Sequence, residues 1–315
     1  MRIGLAEVMD LKRVLTCVLC GIGILVLILD SPTALYGASE GVKLCLGTLI
    51  PGLFPFFVLS GILTASMPRG GLMLAGILGG YPVGARNAAG AYRNGQLSME
   101  DAQRMAVLCN CPGPAFIFGV AGQLFLPMKA ALLWGIYLAS VGVLWLLLPR
   151  CRCAHSTVPV TLTSAIQSSL KAMSSVCGWV VLMRTVLAVL ERWVLWLLPG
   201  WAQALAAGML ELTNGMLMLG SVEENFRFVL AAGMLGFGGI CVAMQTMGVT
   251  QSLNMDRYFP GKILQGCTCS ALAALVMRVS LPLYTWGILI TLGFVSAVKL
   301  RKIENSYGNL AAVGV

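Results

Sequence analysis

Helix breakers set inside long apolar runs constrain this chain more than any other feature. Gly79-Gly80-Tyr81-Pro82-Val83-Gly84-Ala85-Arg86 and Cys109-Asn110-Cys111-Pro112-Gly113-Pro114 interrupt sequence that is otherwise soluble in lipid. A free backbone amide or carbonyl is not tolerated against hydrocarbon. A broken helix therefore persists at membrane depth only where protein packs on it or a wet cavity adjoins it. Breaks of this kind point to a transport site.

Composition fixes the class. The 315 residues are 58% hydrophobic and 10% charged, whereas a soluble domain carries roughly a quarter charged residues. A multi-pass membrane protein with the lipid bilayer as its first partner follows. The net charge of +9 needs no nucleic acid: most Lys and Arg fall in segments assigned to one side of the membrane, as the positive-inside tendency expects, and no basic stripe carries interleaved aromatics. The eleven cysteines are odd in number and mostly lie in apolar segments, which argues against a disulfide framework. Cys151-Arg152-Cys153-Ala154-His155 holds the single histidine, but two thiols and one imidazole at that spacing are an incomplete metal set. The stretch reads as a basic loop, and no metal or other cofactor is expected. There is no hydrolytic constellation, phosphate-binding loop or Gly-x-Ser-x-Gly elbow. The chain is therefore not expected to be an enzyme or to drive transport with ATP.

Along the chain, Lys12-Arg13 precede an apolar run at 14–29, with small residues at Gly37 and Ala38. A signal peptide would show the same pattern; a first transmembrane helix is the preferred reading. Residues 42–64 make a span kinked by Pro51-Gly52 and Pro55, and 72–92 a re-entrant hairpin. Ser98 reads as an N-cap before a linker into a span at 105–122 broken by Pro112-Gly113-Pro114, and 124–148 crosses back. The second half repeats the order: a lead-in at 161–175, a span at 176–190, a broken hairpin at 193–220, a glycine-interrupted span at 228–248, and spans at 263–279 and 281–298. This gives an all-α protein of about eight spans with both ends cytoplasmic. It divides into an N-terminal transmembrane helix (1–39), a first repeat (40–150), the basic loop (151–160), a second repeat (161–300) inserted in the opposite sense, and a cytoplasmic tail (301–315).

The candidate site residues cluster at these breaks. Arg184 in a span and Glu211 in the second hairpin are costly in a membrane, and such groups ordinarily face a cavity or one another. As a structural pair they would neutralise each other; as functional groups Arg184 would attract an anion and Glu211, with Thr213, would hold a coupling cation, sodium or a proton. Asn110, Asn214 and Gln245 supply neutral donors and acceptors. Tyr81 and Phe116 offer an aromatic wall, and Arg86 a second cation. Gly84, Gly113, Gly238 and Gly239 mark places where backbone turns or approaches a ligand. Each polar residue alone is more often a helix cap or an interhelical hydrogen bond; the clustering carries the site.

Leu53-Phe54-Pro55-Phe56-Phe57-Val58-Leu59-Ser60, Gly80-Tyr81-Pro82-Val83-Gly84-Ala85 with Gly95, Asn110-Cys111-Pro112-Gly113-Pro114-Ala115-Phe116-Ile117, Glu211-Leu212-Thr213-Asn214-Gly215, and Phe237-Gly238-Gly239 with Gln245 resemble, in order and over most of the chain, the YlbJ-type sporulation integral membrane proteins. Where Pro112 stands, that family commonly has Ser. The resemblance implies a Gate, or nucleoside-recognition, domain similar in architecture to concentrative nucleoside transporters, with inverted repeats and re-entrant hairpins. It also implies movement of a small organic anion, dipicolinic acid, across the outer forespore membrane. A nucleoside or other neutral solute, and a non-transporting membrane assembly role, are the competing expectations, and a homo-oligomer is an accepted arrangement under each.

Overall fold

The computed structural model describes residues 2–66, 71–148, 161–251 and 253–312, and every regular element among them is helical. Six helical units are long and apolar enough to cross a bilayer: Ser31–Leu63, Pro127–Leu147, Leu162–Trp193, Glu224–Val249, Tyr258–Val276 and Leu283–Glu304. At a rise of about 1.5 Å per residue, some 20 residues span the hydrocarbon core.

Helix α1 (Arg2–Leu29) leads into α2 (Ser31–Leu44), which continues through one π turn, Cys45–Leu49, into α3 (Ile50–Ser66). Where the sequence led to a kink, the helix widens into that π turn, which ends beside Pro51, a residue without an N–H to return to the preceding turn. Gly37 and Gly41, four apart, let α2 lie against α9 (Leu162–Trp193): a Cβ on Gly37 would stand 2.7 Å from the Ala188 Cβ, and one on Gly41 2.8 Å from the Val181 Cα. Small residues at this spacing are the usual device for close helix approach in lipid. Helix α9 begins where Thr161 Oγ1 accepts the Ser164 N–H at 3.2 Å and runs unbroken for 32 residues. The lead-in and span read separately from the sequence are therefore one helix.

Four short helices form the two hairpin regions: α4 (Gly71–Gly79) with α5 (Val83–Arg93), and α10 (Gly200–Leu210) with α11 (Leu212–Met218). Between the first hairpin and α8 (Pro127–Leu147) lie α6 (Met99–Leu108) and α7 (Pro114–Gly119). Ser98 caps α6, as the sequence suggested, by accepting the Asp101 N–H at 3.1 Å. Residues 105–122, read as one interrupted span, are instead split: α6 ends at Leu108, and α7 restarts only at Pro114, after non-helical chain. Pro112 and Pro114 each remove a donor and disfavour helix in the residue before them, so neither side propagates through.

Helix α12 (Glu224–Phe237) meets α13 (Gly239–Val249) at Gly238, and α14 (Tyr258–Val276) and α15 (Leu283–Ala312) complete the chain. Glu223 accepts the Asn225 and Phe226 N–H groups at 3.0 and 2.9 Å at the start of α12, and those backbone bonds hold its carboxyl below the ordinary range. Most of the buried core joins α5, α6, α8, α12 and α14. A smaller cluster, with Phe57, Val176, Val180 and Cys241, joins α3, α9 and α13. Ile28, Leu29, Leu283 and Ile290 are among many large apolar side chains left exposed, a surface suited to lipid and not to water. Helix α15 is pinned at its far end, where Glu304 accepts from Arg104 at 2.6 Å and from the buried Arg257 at 2.7 Å; Arg257 also donates to Gln103.

Candidate functional site at the paired helix breaks

The first break is built by glycine. Gly80 has φ +77° and turns the chain between α4 and α5. Gly76 and Gly84 flank that turn and press against Cys109; a Cβ on either would overlap the Cys109 carbonyl. Gly113 meets Gly80 across the gap, where an added Cβ would lie 3.0 Å from the Gly80 Cα. The hairpin tip therefore sits directly on the non-helical chain between α6 and α7. The buried Tyr81 projects from this tip and donates to the Leu235 carbonyl at 2.6 Å, tying the first hairpin to α12.

Behind Tyr81 the break is held by a polar network. The fully buried Asn110 donates from Nδ2 to Thr246 Oγ1 at 3.0 Å and to the Tyr258 hydroxyl at 2.7 Å. Its main-chain carbonyl accepts from Lys262 Nζ at 2.6 Å and from the Tyr137 hydroxyl at 3.2 Å. Lys262 also donates to Gln265 Oε1 at 2.8 Å and to the Tyr137 oxygen at 3.3 Å, and Gln265 in turn donates to Ser140 Oγ at 3.3 Å. Lys262 is wholly buried, with Nζ 5.6 Å from the Tyr81 ring centroid and 5.9 Å from that of Tyr137. An ammonium has three N–H groups, and here three neutral oxygens receive them. That arrangement makes its burial at membrane depth tenable.

Lys262 is the principal residue that the sequence reading missed. A span taken to begin at Ile263 leaves this lysine at its edge, where cations are ordinary. The signal that finds it is helical spacing: Tyr258, Lys262, Gln265 and Cys269 fall on one face of α14, an i, i+4, i+7, i+11 polar stripe through an apolar helix.

The second break carries its own charge. Glu211, with 3% of its surface exposed, stands between α10 and α11 and accepts the Thr213 and Asn214 N–H groups at 3.1 and 2.7 Å and the Asn214 side-chain amide at 2.6 Å. The carboxylate thus caps α11 in the sense its dipole favours. Gly238 and Gly239 follow in the left-handed region, with φ +86° and +82°. A Cβ on Gly239 would stand 2.8 Å from the Gly208 carbonyl, so this break lies against the second hairpin as the first break lies against the first. A Cβ on Gly238 would come within 3.7 Å of the Tyr81 ring. Tyr81 therefore joins the two breaks.

Between them lies a cavity of about 40 Å³, lined by Gly80, Tyr81, Gly113 and Phe116 from the first half and by Val176, Val180, Glu211, Leu212, Thr213, Val242 and Gln245 from the second, with Leu49 and Leu53. That volume holds a few waters and no aromatic solute, since about 10 to 15 Å³ suffices for one water. Of the residues read from sequence, Tyr81, Gly113, Phe116, Glu211, Thr213 and Gln245 line the cavity. Gly84, Asn110, Asn214, Gly238 and Gly239 shape its walls at one remove, as described above. Two arginines stand apart. Arg86 donates to Ser168, and Arg184 pairs with Glu191 at 3.1 Å on α9 itself, so the Arg184–Glu211 pair considered from sequence does not form. A larger open groove of about 490 Å³ lies elsewhere, beside Met255, Phe259 and Lys299, away from both breaks. Among the described residues no group of side chains is disposed to bind a metal ion. The Cys151 to His155 segment lies outside the described residues.

A helical protein with six membrane-length apolar units and helices broken beside a small cavity belongs to the multi-pass integral membrane proteins. It is 25% identical to the sporulation integral membrane protein YlbJ of Bacillus subtilis (strain 168), in an alignment covering 82% of this chain and 80% of that protein. That similarity supports assigning the chain to the YlbJ-type family. No family model and no solved structure matches it.

Proposed function

We propose that the chain is a secondary transporter of a small organic anion, dipicolinic acid during spore formation, and that its solute passes through the cavity between the two breaks. One observation carries the reading: both hairpin tips and the α6–α7 break line one small cavity, and the α12–α13 break packs against its Tyr81 wall, so chain interruptions that lipid would not tolerate gather at one place. Each half runs as a span, a hairpin, a broken unit and a further span: α3, α4–α5, α6–α7 and α8, then α9, α10–α11, α12–α13 and α14. This order supports an inverted repeat of the Gate type. Eight crossings result when α1 and the broken α6–α7 unit are counted with the six long units. A role in sporulation comes from the relative's name.

The cavity is too small for a dicarboxylate, so the hairpins must part to admit one. Among the described residues, the only acidic or basic side chain on its lining is Glu211, and an anion enters beside it only with a compensating cation. Sodium or a proton at Glu211 and Thr213 fills that role in this reading. A neutral solute such as a nucleoside is the second reading, and a specific observation favours it: neither Arg86 nor Arg184 lines the cavity. Uptake of dipicolinate and of nucleosides into proteoliposomes, with and without sodium and pH gradients, separates the two. Dipicolinate uptake dependent on an ion gradient supports the first, and nucleoside uptake alone supports the second. Folded protein that moves neither returns the chain to a sporulation assembly role.

A further inference from the structure

We propose that Lys262 is a tethered cation: its ammonium fills an oxygen-lined cation position at the α6–α7 break, so this break draws no cation from solution. The inference rests on the geometry of the break and not on the identity of the transported solute. A helix that stops inside a membrane leaves carbonyls without donors, and such carbonyls with nearby side-chain oxygens are the usual coordination shell of a bound cation. Here that shell consists of the Asn110 carbonyl, Gln265 Oε1 and the Tyr137 hydroxyl, at 2.6, 2.8 and 3.3 Å from one atom, Lys262 Nζ. The Tyr81 ring completes it at 5.6 Å, within the range at which a ring attracts a cation. No carboxylate of the described residues pairs with the ammonium. A lysine present only to neutralise a buried acid would have one; this one faces neutral oxygens and the Tyr81 ring, as a bound monovalent cation does. The Asn110 Oδ1 is a further buried oxygen of the break with no donor.

The Tyr81 ring lies near the Lys262 ammonium and also belongs to the cavity wall. Lys262 itself is absent from the lining, while the Glu211 carboxyl lines the cavity directly. Of the two breaks, only the one at Glu211 is left to exchange an ion with solution.

The test is chemical rescue, read by thermal stability of purified protein in detergent and so independent of any transport activity. Lys262→Ala opens a channel the length of the missing side chain. Its melting temperature should fall by several degrees and recover at least half of that loss in n-propyl- or n-butylammonium chloride, but not in choline chloride of equal ionic strength. Lys262→Met, which fills the channel with a neutral chain, should fall and not recover. Lys262→Ala as stable as the natural protein, or rescued equally by choline, overturns the proposal. So does a sodium-specific rise in melting temperature that survives Glu211→Gln with Lys262 intact. Should Lys262→Ala yield no monodisperse protein, yields of Lys262→Arg and Lys262→Met decide: monodisperse protein from the arginine variant alone supports a cation at the break, and any other pattern overturns it.

Discussion

The two breaks solve the same electrostatic problem in opposite ways. At the first, the charge is positive and arrives from α14, whose Lys262 reaches a carbonyl 152 residues earlier in the chain. At the second, the charge is negative and local, since Glu211 caps the helix that begins immediately after it. The first charge has its three donors engaged and is absent from the cavity lining; the second lines the cavity. A cation at the carbonyl end of one broken helix and an anion at the amide end of another are each the sign the helix dipole favours. On the proposed reading their different placement gives them different work: Lys262 holds a shape, and Glu211 meets what enters the cavity.

The largest effect expected from disturbing this comparison falls on the first break. Gly84→Val puts a β-branched side chain where even a Cβ overlaps the Cys109 carbonyl. Overpacking of this kind costs about 1 to 3 kcal/mol or more where backbone must move. Folded yield by size-exclusion chromatography should drop sharply; a normal elution profile and melting temperature would show that the hairpin does not sit on the break. At the second break, Gly239→Val should be milder, because its φ of +82° and the Gly208 carbonyl at 2.8 Å from an added Cβ impose about 1 to 2 kcal/mol of strain. Here transport should suffer more than membrane insertion, a difference checked by uptake normalised to inserted protein.

Glu211→Gln comes next. The amide keeps one accepting oxygen, turns an NH2 toward a donor that the other carboxylate oxygen received, and loses the charge, so about 1 to 3 kcal/mol of capping and charge-assisted bonding should go. The ion or pH dependence of uptake should change while solute affinity is largely kept; unchanged ion dependence would remove Glu211 from coupling. The smallest effect is expected at Arg184→Gln. Its guanidinium answers Glu191 on the same helix and is absent from the cavity lining. Solute affinity measured by scintillation proximity should shift less than twofold, and a loss of tenfold, about 1.4 kcal/mol, would place Arg184 in the binding path after all.

These contrasts follow how much of each break was legible in sequence. Gly80, Pro82, Pro112, Gly113, Gly238 and Gly239 announce themselves, because no other residues tolerate the turns or deny the donors as they do. Glu211 was readable for the same reason as its cap: its partners are two and three residues on. Lys262 was harder to read, since Asn110 and Tyr137, partners that make its burial tenable, lie 152 and 125 residues away, and locally only the polar stripe of α14 sets it apart from an interfacial lysine. Arg184 misled in the opposite direction. Its place in mid-span suggested a ligand contact, yet Glu191, seven residues on, is its partner. Boundaries failed where apolar character ran on past a structural change, as in 105–122, or where polar residues did not interrupt a helix, as in 161–190.

The central claim, that the two breaks share one solute cavity, is tested most directly by substrate protection. Phe116→Cys and Gln245→Cys, one from each half of the lining, would be introduced singly into a background without reactive cysteines. The rate of modification by a small methanethiosulfonate is then followed with and without dipicolinate, using Arg184→Cys as the position outside the cavity. The account predicts that solute slows modification at both cavity positions and leaves the Arg184 position unchanged. Protection at neither cavity position, in protein shown to transport the solute, would contradict it.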